Sequence, residues 1–205
     1  MSGGGGASVD IKSEEDVWSY RHNPNNAPYV DAINSGVSKI QNDFPDLMDT
    51  VYSVNTAELG GADKTNTLGF YDQGKVRLNS NYTDVNKMNA TYDAAVKSGY
   101  HPSRGKLSGT EAVALHETGH ALTDHIAKKM GHGDLDKAAK TIVNNAYRST
   151  GGKGNAKKSW AGKISGYAKG NFAECVAEAV CDYYCNGKKA KAQSHAIMKE
   201  LRKYK

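Results

Sequence analysis

The feature that most constrains this chain is the pentapeptide His116-Glu117-Thr118-Gly119-His120, which lies inside a segment with helix signals at both ends. Ser108 and Glu111 have the spacing of a capping box, and Gly131 is a typical helix stop. Residues four apart lie on one face of a helix, so the two histidines can present their rings to one point. Two imidazoles with an adjacent glutamate are the groups that a hydrolytic zinc site uses.

An ordinary amphipathic helix with two exposed histidines is the competing interpretation. The same segment, however, carries apolar residues over a broad surface: Ala112, Val113, Leu115, Leu122, Ile126 and Met130. A helix of this kind is expected to be buried. Buried histidine and glutamate side chains need partners, and a metal ion would supply one. The pattern therefore favours a zinc site with His116 and His120 as ligands and Glu117 as general base.

The length and cysteine content indicate one domain in a reducing compartment. The 205 residues are enough for a hydrophobic core, and we expect a flexible glycine-rich tail at 1–12 followed by a single domain at 13–205. All three cysteines, Cys175, Cys181 and Cys185, fall on one predicted helix, which favours free thiols over disulfides. No apolar run is long enough to span a membrane, and no signal segment precedes the domain. We therefore expect a cytoplasmic protein, with secretion left open.

The net charge of +5 comes from lysines spread widely along the chain. A basic solvated surface is the simplest interpretation. Nucleic-acid binding is the alternative, but no recognition motif or interleaved aromatic residues accompany the lysines. Apart from a protein or peptide substrate, we expect neither a nucleic-acid nor a membrane partner, and the sequence leaves the oligomeric state open.

The part of the chain before the pentapeptide predicts helices and a small sheet. The acidic run 13–16 suggests the start of a short helix, and apolar spacing predicts a longer helix over 31–48 that Pro45 ends or kinks. Alternating residues predict a strand over 50–55, followed by a polar loop over 56–67.

A β-hairpin is predicted over 68–79, where Asp72 and Gly74 suit a tight turn. An edge strand near a zinc helix can hold an extended peptide, but the sequence does not show which strand is the edge. A helix is expected within 82–97. His101 follows in a loop over 98–106 and is interpreted as a loop residue.

Beyond the pentapeptide, helices are predicted over 133–149 and 171–185, and a short basic helix over 194–205. The glycine- and lysine-rich loop over 150–158 is either a rim of the cleft or a disordered insertion. The 171–185 helix has Asn171 as its cap.

Two histidines leave a catalytic zinc one protein ligand short. His125 is about 140° from His120 around the helix and should face elsewhere. His132 lies beyond the helix end, and Asp124 is more consistent with a supporting or solvent-facing residue. Glu174 and Glu178 share the inner face of the second helix, where carboxylates need partners or a metal. That helix is therefore the preferred source of the third ligand.

The stretch S-G-Y-A-K-G-N-F-A-E-C-V-A-E, which begins at Ser165 and ends at Glu178, resembles the second motif of gluzincin metallopeptidases of the anthrax lethal factor type. It is more similar still to small zincin-like domains of phage and mobile-element proteins. Those domains carry H-E-x-G-H followed by Tyr-Ala, Asn and E-x-x-A-E. The resemblance covers the chain from about Leu68 to Tyr184.

The resemblance implies an α+β, zincin-like fold in which a small mixed or antiparallel sheet packs on the active-site helix. It implies that Glu174, on a second helix, is the third metal ligand and that Glu178 holds a ligand histidine. Tyr167 matches the tyrosine that hydrogen-bonds the developing oxyanion. Cys175-Val176 departs from the family, where bulky aromatic residues are more common. The wide gap between the two motifs is attributed to an insertion at 133–158.

With this resemblance, the sequence predicts a zinc metalloendopeptidase, with Zn²⁺ as cofactor, that hydrolyses a protein or peptide substrate and is encoded by a phage or mobile element. In the expected mechanism, Glu117 takes a proton from a zinc-activated water and Tyr167 stabilises the oxyanion. Two alternatives stay open: a catalytically silent zincin-fold interaction module and a toxin-like effector protease. The silent module is less consistent with the presence of all four motif residues: His116, Glu117, His120 and Glu174.

Overall fold

The computed structural model describes residues 8–131 and 133–205 and has the predicted α+β class. The strands are β1 (Ile11–Asp16), β2 (Ser53–Leu59), β3 (Gly69–Asp72) and β4 (Lys75–Asn79). The helices are α1 (Val17–Tyr20), α2 (Ala27–Asp43), α3 (Asp63–Asn66), α4 (Val85–Lys97), α5 (Gly109–Lys129), α6 (Leu135–Ser149), α7 (Lys157–Ala161), α8 (Phe172–Asn186) and α9 (Ala192–Leu201). Within these residues, no helix combines the length and the apolar character that a membrane crossing needs.

The strands form one mixed sheet in the order β1-β2-β4-β3. β2 and β4 are parallel, whereas the two outer pairs are antiparallel. The predicted hairpin is confirmed as β3–β4, and its turn residues Gln73 and Gly74 have φ values of 45° and 86°. Two positive φ values are typical of the tight turn that matches strand twist. β3 is thus an edge strand of the sheet.

The strand predicted over 50–55 is found at Ser53–Leu59. It therefore extends into the region that was predicted to be a polar loop. Ala57 and Leu59 are buried and pack with Phe70 on the face of the sheet away from the main core. The prediction of a loop over 56–67 was therefore wrong in its first half, and α3 occupies part of its second half.

The acidic run 13–16 belongs to β1 and does not start a helix. Glu14 accepts hydrogen bonds from Lys75 and Arg77 across the sheet, and these ion pairs stabilise an exposed edge strand. The helix begins only at Val17, after the Asp16 cap. Because β1 starts at Ile11, residues 11 and 12 are not part of a tail, and residues 1–7 of the predicted tail lie outside the described residues.

The helix α5 is the centre of the fold. From Gly109 to Ala127 every residue is buried apart from Glu111 and Asp124. The predicted capping box is confirmed, because Ser108 Oγ accepts from the Glu111 amide at 3.1 Å and Glu111 Oε2 accepts from the Ser108 amide at 2.9 Å. α5 packs against α2 and α8, and it also contacts α4, α6 and the β3–β4 hairpin.

The helices after α5 are structural parts of the core. α6 contacts α5, α8 and α9, and its Ile142 and Val143 side chains are buried. Leu135–Ser149, within the insertion predicted over 133–158, therefore belong to the core. α8 begins after the predicted Asn171 cap, whose Oδ1 accepts from the Glu174 amide at 2.8 Å. The helix predicted over 194–205 starts earlier, at Ala192, and its Leu201 end is buried.

The helix predicted over 31–48 also has different limits, because α2 starts at Ala27 and ends at Asp43. After Phe44, Pro45 opens a short 3₁₀ turn, so the predicted break at this proline is confirmed.

Candidate metal centre

The two helices that carry the sequence motifs, α5 and α8, pack closely at Gly119. A Cβ atom on Gly119 would lie 3.0 Å from the Cα of Ala177 and 3.2 Å from the Cβ of Val180. Only glycine allows this approach without a shift of the neighbouring helix. This close approach of α5 and α8 brings the polar residues of both helices together.

Three buried side chains meet at this crossing. Glu174 Oε2 lies 3.2 Å from His116 Nε2 and 3.4 Å from His120 Nε2. One potential ligand atom from each of the three residues lies within 4.8 Å of the other two. Bonds of about 2.0–2.1 Å in a tetrahedral arrangement separate neighbouring ligand atoms by about 3.3 Å. The cluster can therefore hold a metal ion.

The other candidates for the third ligand do not join this cluster. Asp124 Oδ2 accepts a hydrogen bond from the hydroxyl of Tyr71 at 2.6 Å. His125 faces away, as predicted, and its Nδ1 lies 3.0 Å from the hydroxyl of Thr50. His132 lies outside the described residues.

Glu178 lies behind His116 rather than among the ligand atoms. Its Oε1 atom is 2.8 Å from His116 Nδ1 and 3.0 Å from His101 Nδ1. Its Oε2 atom accepts from the hydroxyl of Ser165 at 2.6 Å. A carboxylate at Nδ1 fixes the ring and its tautomer, which leaves Nε2 for a metal.

The charges in this buried cluster are mutually stabilising. Burial acts to raise the pKa of Glu178, but the adjacent ring nitrogens of His101 and His116 outweigh burial and lower that pKa to about 2. The pKa of Glu174 is held below its usual range by His116 and His120 in spite of burial. Burial acts to lower the pKa of His116, but Glu174 and Glu178 outweigh it and raise that pKa well above the usual value.

Glu117 differs from Glu174 and Glu178 in the direction of its pKa shift. It is buried, and its Oε2 atom has no hydrogen-bond partner among the described residues. Burial raises its pKa, with partial opposition from His116 and His120. The edge strand β3 lies against it, since a Cβ on Gly69 would be 3.0 Å from Glu117 Cγ. A carboxylate with a raised pKa and an unused acceptor atom is suited to take a proton from a water or ligand.

A cleft of about 340 Å³ opens beside the cluster. His116 and Glu117 line it, together with Gly69 of β3 and Tyr92 of α4. Tyr167 also lines it, and its half-buried ring stacks on His116 with a centroid distance of 5.8 Å and an angle of 15°. Among the described residues, none from the loop over 150–158 lines the cleft. The prediction that this loop forms a rim of the cleft was therefore wrong.

Sequence reasoning missed two residues of this centre, His101 and Ser165. Both lie outside the helices and contact Glu178 directly. A single histidine in a loop carries no spacing signal, and Ser165 was recognised only as the start of a motif. The three cysteines are free thiols, as predicted, and none joins the candidate metal cluster found among the described residues.

No family model matches the chain, and neither the curated proteins nor the solved structures include a significant match.

Proposed function

We propose that this chain is a zinc-dependent metalloendopeptidase of the gluzincin type with a zincin-like fold. The observation that carries the proposal is the meeting of His116, His120 and Glu174 beside a buried glutamate, Glu117, whose Oε2 has no hydrogen-bond partner among the described residues. The cluster alone would suit a structural metal site. A carboxylate with an unused acceptor atom at the wall of a cleft is the additional feature that hydrolysis requires.

The donor set favours zinc. Two imidazole nitrogens and one carboxylate oxygen are the protein ligands of many catalytic zinc sites, which keep a fourth position open. His116, His120 and Glu174 would hold the ion. When bound, zinc lowers the pKa of a water molecule and polarises a substrate carbonyl.

The residues around the ligands would then act on protons and charge. Glu117 accepts the proton of the attacking water and passes it to the leaving amine. The Tyr167 hydroxyl donates a hydrogen bond to the developing oxyanion. Glu178 keeps the His116 ring in the orientation that directs Nε2 towards the metal.

The position of β3 supports a peptide as substrate. β3 pairs with β4 on one side only and is the edge strand next to the cleft. Its free edge can pair with an extended peptide through main-chain hydrogen bonds and hold the scissile bond across Glu117. An edge strand beside the helix of the pentapeptide is also the arrangement that supports a zincin-like fold.

The substitution Glu117→Gln tests the proposal. It removes the base and retains the three ligands, so we expect peptidase activity to fall by about 10²–10⁴-fold while zinc content is unchanged. Glu58→Gln is the matched control, because Glu58 is exposed on β2. Activity on a peptide library and zinc content by mass spectrometry are the measurements.

Full activity in Glu117→Gln would contradict the assignment of the base. A zinc-loaded wild-type protein that cleaves no peptide would instead favour the silent interaction module. A toxin-like effector has the same chemistry, so this experiment does not separate it from the proposed endopeptidase, whereas the neighbouring genes would.

A further inference from the structure

His101 reaches the metal centre from a loop that carries none of the sequence motifs. Its Nδ1 atom lies 3.0 Å from Glu178 Oε1, and its side chain is 15% exposed. The ring stacks on Tyr92 with a centroid distance of 5.3 Å and an angle of 7°. It is therefore held both by a hydrogen bond and by an aromatic contact.

The backbone around His101 is fixed to the segment that carries Tyr167. α4 ends in a glycine cap, in which Gly99 has a φ of 74° and the Tyr100 amide donates to Ala95 at 2.9 Å. Two main-chain hydrogen bonds then follow, from the Gly166 amide to Gly99 at 2.7 Å and from the Tyr167 amide to Tyr100 at 3.0 Å. The loop is thus a fixed wall of the site.

The two histidines share one oxygen of Glu178. Oε1 lies 2.8 Å from His116 Nδ1 and 3.0 Å from His101 Nδ1, while Ser165 donates to Oε2. Glu178 is completely buried, so it cannot exchange these partners for solvent. Its orientation, and through it that of the His116 ring, depends on the donors that surround it.

We propose that His101 is a positioning residue of the metal centre. By holding Oε1 of Glu178 in place, it orients the His116 ring and raises the affinity of the centre for zinc. This inference rests on the proposed metal site but is independent of the peptidase reaction, because zinc affinity can be measured without a substrate.

Two substitutions separate the hydrogen bond from the packing of the ring. His101→Phe keeps an aromatic ring against Tyr92 but has no donor for Glu178. His101→Asn loses the ring but places an amide donor, Nδ2, where His101 has Nδ1. If His101 has only a packing role, His101→Phe should weaken zinc binding less than His101→Asn does. If His101 has the positioning role, His101→Asn should weaken zinc binding less.

Competition with a chromophoric zinc chelator measures the affinity. For His101→Phe we expect zinc binding about 10-fold weaker than in the wild type, at the lower end of the effect of removing a residue that supports a metal ligand. His101→Asn should bind zinc more tightly than His101→Phe. His195→Phe is the matched control, since His195 lies on α9 and contacts Tyr183 instead of the centre.

A double-mutant cycle with Glu178→Gln identifies the route of the effect. If His101 acts through Glu178, adding His101→Phe to Glu178→Gln should weaken zinc binding no further. Wild-type affinity in His101→Phe, or equal losses in the Phe and Asn variants, would overturn the inference alone. A wild-type protein that binds no zinc would overturn the proposed function as well, so the two failures are distinguishable.

Discussion

The two halves of α8 bury carboxylates in different ways. Near its C-terminus, Asp182 accepts hydrogen bonds from the Asn186 amide side chain at 2.9 Å, the Lys191 backbone amide at 2.7 Å and the Ser194 hydroxyl at 2.6 Å. These donors are neutral and local, and together they tie α8 to α9. Such a carboxylate is a structural element.

In the first half of α8, Glu174 and Glu178 face histidine rings of α5 and of the 98–106 loop. A histidine is a donor to a carboxylate only through a ring nitrogen that carries a proton, and a metal ion can replace that proton at Nε2. Burial alone therefore does not mark a functional carboxylate. The chemistry of its partners does.

The strongest contrast between the two halves of α8 is expected from substitutions of Glu174 and of Asp182. Glu174→Gln should reduce zinc affinity by more than about 100-fold, because it removes a charged ligand, and should abolish activity. Asp182→Asn should leave zinc affinity unchanged but lower the free energy of unfolding by about 1–3 kcal/mol, because an amide nitrogen would face donors. Zinc titration and urea unfolding of both variants are the measurements. Equal zinc affinities in the two variants would contradict the comparison.

The next largest effect concerns Tyr167. Tyr167→Phe keeps the ring that stacks on His116 but removes the hydroxyl. We expect kcat to fall by about 10²–10³-fold, with KM and zinc affinity little changed, because the lost interaction forms only in the transition state. Steady-state kinetics on a cleaved peptide test this. An unchanged kcat would show that Tyr167 has only a packing role.

A smaller effect is expected from widening the contact between α5 and α8. Gly119→Ala places a methyl group 3.0 Å from Ala177 Cα, and the overpacking should cost about 1–3 kcal/mol of stability while moving Glu174 away from the histidines. Gly36→Ala is the control, because its methyl would meet Ala114 at 2.7 Å in the α2–α5 contact. Both variants should be less stable, but only Gly119→Ala should bind zinc more weakly. Unfolding curves and zinc titration check both expectations.

The smallest expected effect concerns how stability depends on pH. The contribution of His116 to the stability of the zinc-free protein and the stability gained from zinc should change in opposite directions as pH rises. The folded-state pKa of His116 is raised, so its contribution to the stability of the zinc-free protein is complete below about pH 6.5 and is lost as pH rises through the folded value. Zinc requires the neutral ring, so the stability gained from zinc should increase over the same rise in pH. Thermal unfolding from pH 6 to pH 9, with zinc and with a chelator, tests this. Parallel pH profiles would contradict the expectation.

The sequence predicted the elements whose signals are local. The caps at Ser108 and Asn171 correctly located the start of α5 and of α8, and the turn at Gln73–Gly74 located the hairpin. β1 was missed because its six residues are all exposed and because the residues of β2 that pair with it are some forty positions or more later in the sequence. Neither alternation nor composition encodes that kind of pairing.

The grouping of His116, His120 and Glu174 was predictable because its sequence signals are also local. The contacts that Glu178 and His101 make beside this group were not predictable. His116 and His120 are related by one helical turn, and the shared face of α8 restricted the third ligand to Glu174 or Glu178. Their separate positions follow from how α5 and α8 cross, which only tertiary packing determines. His101 enters through main-chain contacts between two loops, for which no residue pattern exists.

The most direct test of the central claim is a crystal structure grown with zinc, with data collected at the zinc absorption edge. We predict one anomalous peak about 2.0–2.2 Å from His116 Nε2, His120 Nε2 and a carboxylate oxygen of Glu174, with Glu178 hydrogen-bonded to His116 Nδ1. A peak elsewhere, or one bound by Glu178 in place of Glu174, would contradict the claim.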